Sequence, residues 1–262
     1  MEGLLRKMPV ALEGDEVQYL GMIGQEKWNV NELVGNHIEL QFSSRIFCPS
    51  CSKQVKKLYQ GFCYTCFTEA PQASPCIINP ELCEAHLGKG RDVEWEQKYH
   101  NQPHSVYFAL SSGVKVGVTR EVQIPTRWID QGASFAQAVC KVPYRQLAGE
   151  IEVMLKDHFS DKTNWRRMLK NEVCSMDIED LVEELFDYLP EDYHDFICEP
   201  EEWQEIRYPH ISFPDKVKSL SFDKTREVGG KLIAIKGQYL LFEGGDCLNI
   251  RKHEGYEVRL NC

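Results

Sequence analysis

Two Cys-x2-Cys pairs, Cys48-Pro-Ser-Cys51 and Cys63-Tyr-Thr-Cys66, stand eleven residues apart. Each pair sets two thiols on one tight turn, and two such turns facing each other supply the four sulfurs of a tetrahedral Zn2+ site. Disulfides compete for the same thiols. The chain has eleven cysteines, an odd number, and Met1–Val10 lacks the apolar core of a secretion signal, a combination that favours metal. Four sulfurs leave no open coordination position, so this zinc is expected to be structural. A second group follows at Cys76, Cys83 and His86, with His100 or His104 as a fourth donor. Two thiols and imidazoles suit the same metal.

A different chemistry is suggested between His104 and Asn164. Val106-Tyr107-Phe108-Ala109-Leu110 and Val114-Lys115-Val116-Gly117-Val118 flank Ser111-Ser112-Gly113, and two β-rich runs around a Ser-Gly turn predict a hairpin. Arg127 follows in Pro125-Thr126-Arg127-Trp128. From Tyr144 to Phe159, residues Leu147, Ile151, Leu155 and Phe159 recur at helical spacing with Glu152 on the flank of the stripe, which predicts an amphipathic helix. Read blandly, Tyr107 and Trp128 are core aromatics and Arg127 and Glu152 form a structural ion pair.

This order of hairpin, arginine and helix with a carboxylate resembles the GIY-YIG nuclease domain. By that resemblance Tyr107 stands at the family's first tyrosine, Gly117 at the glycine of the second half-motif, Arg127 at the arginine, Glu152 at the metal-binding glutamate and Asn164 at the terminal asparagine. Lys115 occupies the second tyrosine's place, Gln131 stands where a His or Tyr is usual, and the interval from Gly117 to Arg127 is two residues longer. A metal-assisted phosphodiesterase needs a carboxylate to hold Mg2+ or Mn2+ against phosphate, a cation to stabilise developing charge and a group to accept a proton. Glu152 and Arg127 suit the first two roles. A glutamine cannot be the base, and Lys115 could serve only with a lowered pKa.

Three further blocks, Cys76-Ile-Ile-Asn-Pro-Glu-Leu-Cys83, Pro125-Thr-Arg-Trp-Ile-Asp-Gln-Gly132 and Asp161-Lys-Thr-Asn-Trp165, resemble a bacterial zinc-ribbon family defined only as a domain of unknown function. In that family, the resemblance implies, further cysteines flank the first block, where this chain has Ala73 and Gly90. This likeness covers nearly the whole chain.

The elements that must position these residues read as an α+β chain. Strand patterning at Val17–Leu20 and His37–Phe42, and again at Val217–Phe222, Lys231–Lys236, Tyr239–Glu243, Cys247–Lys252 and Tyr256–Leu260, predicts an antiparallel β unit assembled from both termini, with turns at Gly229-Gly230, Lys236-Gly237, Glu243–Asp246 and His253–Gly255. The expected division is N-terminal strands over 1–46, zinc ribbon and Cys/His segment over 47–103, the GIY-YIG-like α/β domain over 104–172, an acidic helical segment over 173–210 and the C-terminal β unit over 211–262. Asp177–Pro190 predicts one amphipathic helix, capped by Asp177 and stopped by Pro190, with Ile178, Leu181, Val182, Leu185, Phe186 and Leu189 on its apolar face.

Net charge is formally -10, which argues against a general nucleic-acid binder until the charge is located. Asp177–Glu205 holds thirteen acidic residues and no Lys or Arg, so removing that run leaves the rest at +3. No apolar run is long enough for a membrane span, and the expected setting is cytoplasmic. Three functions follow: a nucleic-acid binder without catalysis, a metal-dependent endonuclease using Arg127 and Glu152, or an adaptor that docks a basic protein on the acidic helix.

Overall fold

The structure is a computed structural model and describes residues 1–159, 164–174, 180–199 and 202–262. The N-terminal strands are β1 (Glu2–Leu4), β2 (Val10–Glu13), β3 (Glu16–Ile23), β4 (Glu26–Asn29), β5 (His37–Phe47) and β6 (Gln54–Val55). Helices α1 (Tyr64–Glu69) and α2 (Val93–His100) bracket four short 3-10 turns. The middle of the chain runs β7 (His104–Leu110), β8 (Val114–Arg120), α3 (Thr126–Asp130), β9 (Phe135–Val142), α4 (Arg145–Lys156) and α5 (Trp165–Leu169). Then come α6 (Asp180–Glu183), α7 (Leu185–Tyr188), β10 (Gln204–Glu205), β11 (Lys218–Leu220), β12 (Glu227–Lys236), β13 (Tyr239–Phe242), β14 (Asp246–Asn249) and β15 (Tyr256–Asn261).

The largest sheet is eight-stranded in the order β1-β15-β5-β12-β13-β14-β11, with β6 paired to β5. Its middle is β5, which pairs antiparallel with β12 through Ile38↔Gly230 and with β15 through Leu40↔Leu260. Gly229 and Gly230, expected as a turn, lie inside β12 instead. A Cβ on Gly229 would stand 2.4 Å from the Ile38 carbonyl oxygen, so the glycine there permits close backbone approach rather than reversal. The strand read at Val17–Leu20 also belongs elsewhere: β3 pairs with β2 and β4 in a separate three-stranded sheet. Gly14 and Gly24, at φ +65° and +59°, turn the two hairpins, and these local partners satisfy both edges of β3. Val17, Tyr19 and Ile23 then pack face-on into the core shared with the large sheet.

A four-stranded sheet, β10-β9-β7-β8, forms the centre. β7 is buried at every position. Its alternate side chains serve two cores, as strand geometry requires. Val106, Phe108 and Leu110 join Ile151 and Leu155 of α4, whereas Tyr107 and Ala109 join the core of the β sheets. Glycine is needed where α4 crosses the 3-10 turn at Pro80–Leu82, because a Cβ on Gly149 would fall 2.1 Å from the Glu81 nitrogen.

The acidic segment covers the far edge of this sheet. β10 pairs with β9, and the Cys198 N–H donates to the Val139 carbonyl at 2.9 Å. The single amphipathic helix expected over Asp177–Pro190 is two short described helices, α6 and α7, which bury Leu181, Val182, Leu185 and Leu189 against α4. Phe186 faces outward, edge-on to His194. Asp177 and Ile178 lie outside the described residues. No described helix is long and apolar enough to cross a membrane.

The β12–β13 corner clamps the centre of the chain. Gln238 donates to Asp130 Oδ1 and to the Met8 carbonyl, both at 2.9 Å, and Lys7 bridges to Asp130. Beside it Lys236 is wholly buried, its Nζ donating to Ser134 Oγ at 3.2 Å and Asn171 Oδ1 at 2.5 Å and lying 5.0 Å from the Tyr208 ring centroid. Desolvation pulls this amine from 10.5 down to about 7. The folded value lies below the unfolded one, so between about pH 7 and 10.5 the unfolded chain binds more protons and stability rises with pH. Chemical denaturation across that window should show wild type gaining on the order of 4 kcal/mol relative to Lys236→Met, whose curve lacks this contribution.

Candidate metal centre and cationic cleft

The four sulfurs of Cys48, Cys51, Cys63 and Cys66 lie within 4.8 Å of one another. Two knuckles bring them there. After β5, the Cys48 N–H donates to the Lys53 carbonyl at 2.9 Å and Ser52 takes φ +59°. The second turn closes through reciprocal Tyr59–Phe62 backbone bonds, with Gln60 and Gly61 at φ +50° and +90°. Cys51 Sγ and Cys63 Sγ are 3.7 Å apart. A disulfide needs about 2.05 Å, whereas bonds of about 2.3 Å to a central zinc give tetrahedral edges near 3.75 Å. Burial disfavours the Cys48 thiolate, but N–H groups of Cys63, Cys51 and Ser50 outweigh it and bring the thiol down to about 7. Four soft sulfur donors at this spacing fit zinc.

The second group is also assembled, with a different membership. Cys76, Cys83, Glu96 and His100 offer donor atoms within 4.8 Å of one another, and all four residues are buried. His86, expected in this set, stacks on Tyr144 with centroids 4.6 Å apart. His104 sits at the start of β7 and donates from Nδ1 to the Gln102 carbonyl at 2.7 Å, with burial holding it down at about 4. Glu96 escapes a search limited to Cys and His. Its signal is the interval to His100, since positions i and i+4 share one helix face.

Of the residues read between His104 and Asn164, Arg127 and Glu152 line one cleft of about 330 Å³. Arg120, Arg145 and Arg251 line it too, so among the described residues four arginines meet a single carboxylate. Burial raises the Glu152 carboxyl above the ordinary range, opposed by Lys156, Lys115 and Arg145, and Lys156 Nζ lies 3.2 Å from it. Arg127 Nε is buried and has no hydrogen-bond partner among the described residues. Trp95, Tyr99 and His100 complete one wall, where the Arg120 guanidinium lies 5.2 Å from the Tyr99 ring centroid.

Tyr107 lies beneath the cleft rather than in it. The ring is fully buried and its hydroxyl donates to Gln131 Oε1 at 2.8 Å. Burial raises the phenol above its usual value despite the Arg127 guanidinium beside it. The ring crosses Gly117, its partner on β8, so closely that a Cβ there would stand 2.5 Å from the hydroxyl oxygen. Lys115 lines an adjoining pocket of about 260 Å³ with Asp130 and Gln131, and Arg251 lies on the rim common to both. Asn164 is a helix cap: its Oδ1 accepts from the Arg166 and Arg167 N–H groups at 3.0 and 3.3 Å, so it does not join the cleft.

Residues 35–258 match the family described as a protein of unknown function (DUF2797). The chain belongs to this family. No curated protein and no solved structure matches it. The match spans both metal-donor groups and every residue of the cleft.

Arg120, Arg145 and Arg251 escape a reading of the sequence because nothing local distinguishes them; only the tertiary fold places them opposite Arg127.

Two outcomes follow from this geometry. Cys48→Ser should remove one zinc ion per chain by elemental analysis and lower the thermal midpoint, because so small a ribbon lacks the apolar core to hold its shape without metal. Gly117→Ala should displace the Tyr107 ring and cost about 1 to 3 kcal/mol in chemical denaturation, as overpacking does. Tyr107→Phe should cost less, since the ring stays in place.

Proposed function

We propose that this protein binds the phosphodiester backbone of a nucleic acid in the cationic cleft and does not cleave it. The carrying observation is that Arg120, Arg127, Arg145 and Arg251 line one cleft in which Glu152 is the single carboxylate among the described residues. Guanidinium groups are the preferred partners of phosphate oxygens, and the buried Arg127 Nε has no acceptor among the described residues. Trp95 and Tyr99 beside the arginines offer rings on which unpaired bases stack. The resemblance of Tyr107, Gly117, Arg127 and Glu152 to the GIY-YIG arrangement points to the same ligand class.

Binding without hydrolysis is favoured by the state of the proton acceptors. The Tyr107 proton is held by burial and donated to Gln131, and Gln131 cannot act as a base. Glu152 pairs with Lys156, and neither metal-donor group found among the described residues includes it. In this reading Glu152 orients the surrounding cations, and the zinc held by the two Cys-x2-Cys knuckles is structural. A cytoplasmic setting fits the cysteine-rich donor groups, which need reduced thiols.

Titration of labelled single- and double-stranded DNA and RNA at low salt, with and without Mg2+ or Mn2+, tests the reading. Arg127→Ala should weaken binding by about 1.5 to 3 kcal/mol, as loss of a charge-assisted hydrogen bond does, and affinity should fall steeply with salt. Glu152→Ala should weaken binding by less than Arg127→Ala does, because it loosens the arginines but also removes a negative charge beside the phosphate. Metal-dependent cleavage abolished by Glu152→Ala would replace this reading with the endonuclease. Absence of binding to every nucleic acid would reject both and leave a basic protein partner at the acidic segment.

A further inference from the structure

We infer that Cys76, Cys83, Glu96 and His100 hold a second zinc ion in a closed site of two sulfurs, one imidazole nitrogen and one carboxylate oxygen. His100 Nδ1 lies 3.5 Å from Cys83 Sγ, 3.8 Å from Cys76 Sγ and 3.7 Å from Glu96 Oε2. Zinc bonds of about 2.0 to 2.3 Å give tetrahedral edges of about 3.3 to 3.8 Å, so His100 already stands at the separations the ion requires from the other three donors, and all four lie within 4.8 Å of one another. The carboxylate is too far from the imidazole for a hydrogen bond.

The burial makes the same demand. All four residues are at most 4 % exposed, and a carboxylate beside two thiols in such a place is costly without a cation at its centre. The surroundings aim the donors inward. Glu96 and His100 stand one turn apart on α2, and the Arg91 N–H donates to Glu96 Oε1 at 2.9 Å, leaving Oε2 beside the His100 imidazole. A Cβ on Gly90 would stand 2.5 Å from Glu96 Oε2, so the carboxylate fills the space that a side chain at 90 would occupy. Ser74 Oγ lies 3.0 Å from Cys76 Sγ, a contact that supports a thiolate.

Binding releases the two thiol protons to solvent and leaves the zinc with its four donors at net −1. Arg145 balances that charge from the cleft side. Its guanidinium donates to the Cys76 carbonyl from Nε at 3.0 Å and Nη2 at 2.9 Å, and to the Ile77 carbonyl at 3.0 Å. The metal therefore fixes the carbonyls that hold Arg145, and with α2 it sets the wall bearing Trp95 and Tyr99. With four protein ligands it has no open position and is structural. This assignment does not depend on what the cleft binds.

Elemental analysis of the full wild-type chain purified without added metal should give two zinc ions per chain, and Cys76→Ser/Cys83→Ser should give one. A single zinc in the wild type, or two in a folded double variant, overturns the assignment. Because the double variant can fail to fold, Glu96→Gln provides the second arm, being nearly isosteric. One of its two zincs should pass to a chelator at a concentration lower by about tenfold or more than in wild type, the size of effect seen when a metal's supporting ligands are altered, while release of the other is unchanged. Identical release curves for Glu96→Gln and wild type would remove Glu96 from the site and sink the proposed ligand set.

Discussion

The central sheet depends on having both faces covered. β7 has no solvent-facing side chain, so one face must lie on α4 and the other on the β sheets, and neither cover suffices alone. A strand buried on both sides has apolar residues at consecutive positions rather than alternate ones, as Val106–Leu110 does. That constraint forces polar chemistry to the rim. The cleft opens along β8, the outer strand of the sheet, and Arg127 reaches it only because α3 is held from behind by Gln238 and Lys7 through Asp130. The β sheets are thus not an appendage to the cleft but the support of one of its arginines.

The same arrangement separates charge. The acidic segment closes the sheet at β9 through β10, at the opposite edge from β8. With a net charge of -10 overall, the molecule would repel a polyanion if its carboxylates were evenly spread. Pairing part of the acidic run with β9 keeps those carboxylates off the β8 edge, where the arginines stand, and exposed charges are screened beyond roughly 8 Å at physiological salt.

What can be read from the sequence is what neighbouring residues determine. The Cys-x2-Cys pairs announce their own geometry, and the hairpin is written in its two β-rich runs and the Ser-Gly turn between them. The failures occur where distant chain intervenes. Gly229 and Gly230 read as a turn because glycine is permissive, whereas the backbone of β5 pressing on β12 is what requires it. His86 is drawn to the second donor set by proximity in sequence, but a stacking partner 58 residues later holds it elsewhere. Val17–Leu20 goes to the large sheet when pattern alone decides. Patterning shows which face is buried but does not say against what, and two local hairpins capture β3 first. Phe186 fits a helical stripe on paper, yet the chain breaks between α6 and α7 and turns it outward.

Tyr107 shows how surroundings rather than residue type decide chemistry. Gly117 makes room for the ring, since a Cβ there would stand 2.5 Å from the hydroxyl oxygen. Reactivity, however, depends on where the hydroxyl proton can go. Here it goes to Gln131, an amide oxygen that accepts the hydrogen bond but cannot take the proton at neutral pH. An imidazole or a second phenol at that position would open a relay to solvent; the amide closes it. The cation at 115 works in the same direction, since Lys115 and Lys156 both draw on the Glu152 carboxylate and compete with any divalent ion for its charge. In the proposed reading these contacts deny hydrolysis a proton acceptor and leave Glu152 paired with lysine, while the arginines stay in place. What such a cleft retains is its four guanidinium groups, the feature on which the proposed binding of a phosphate backbone rests.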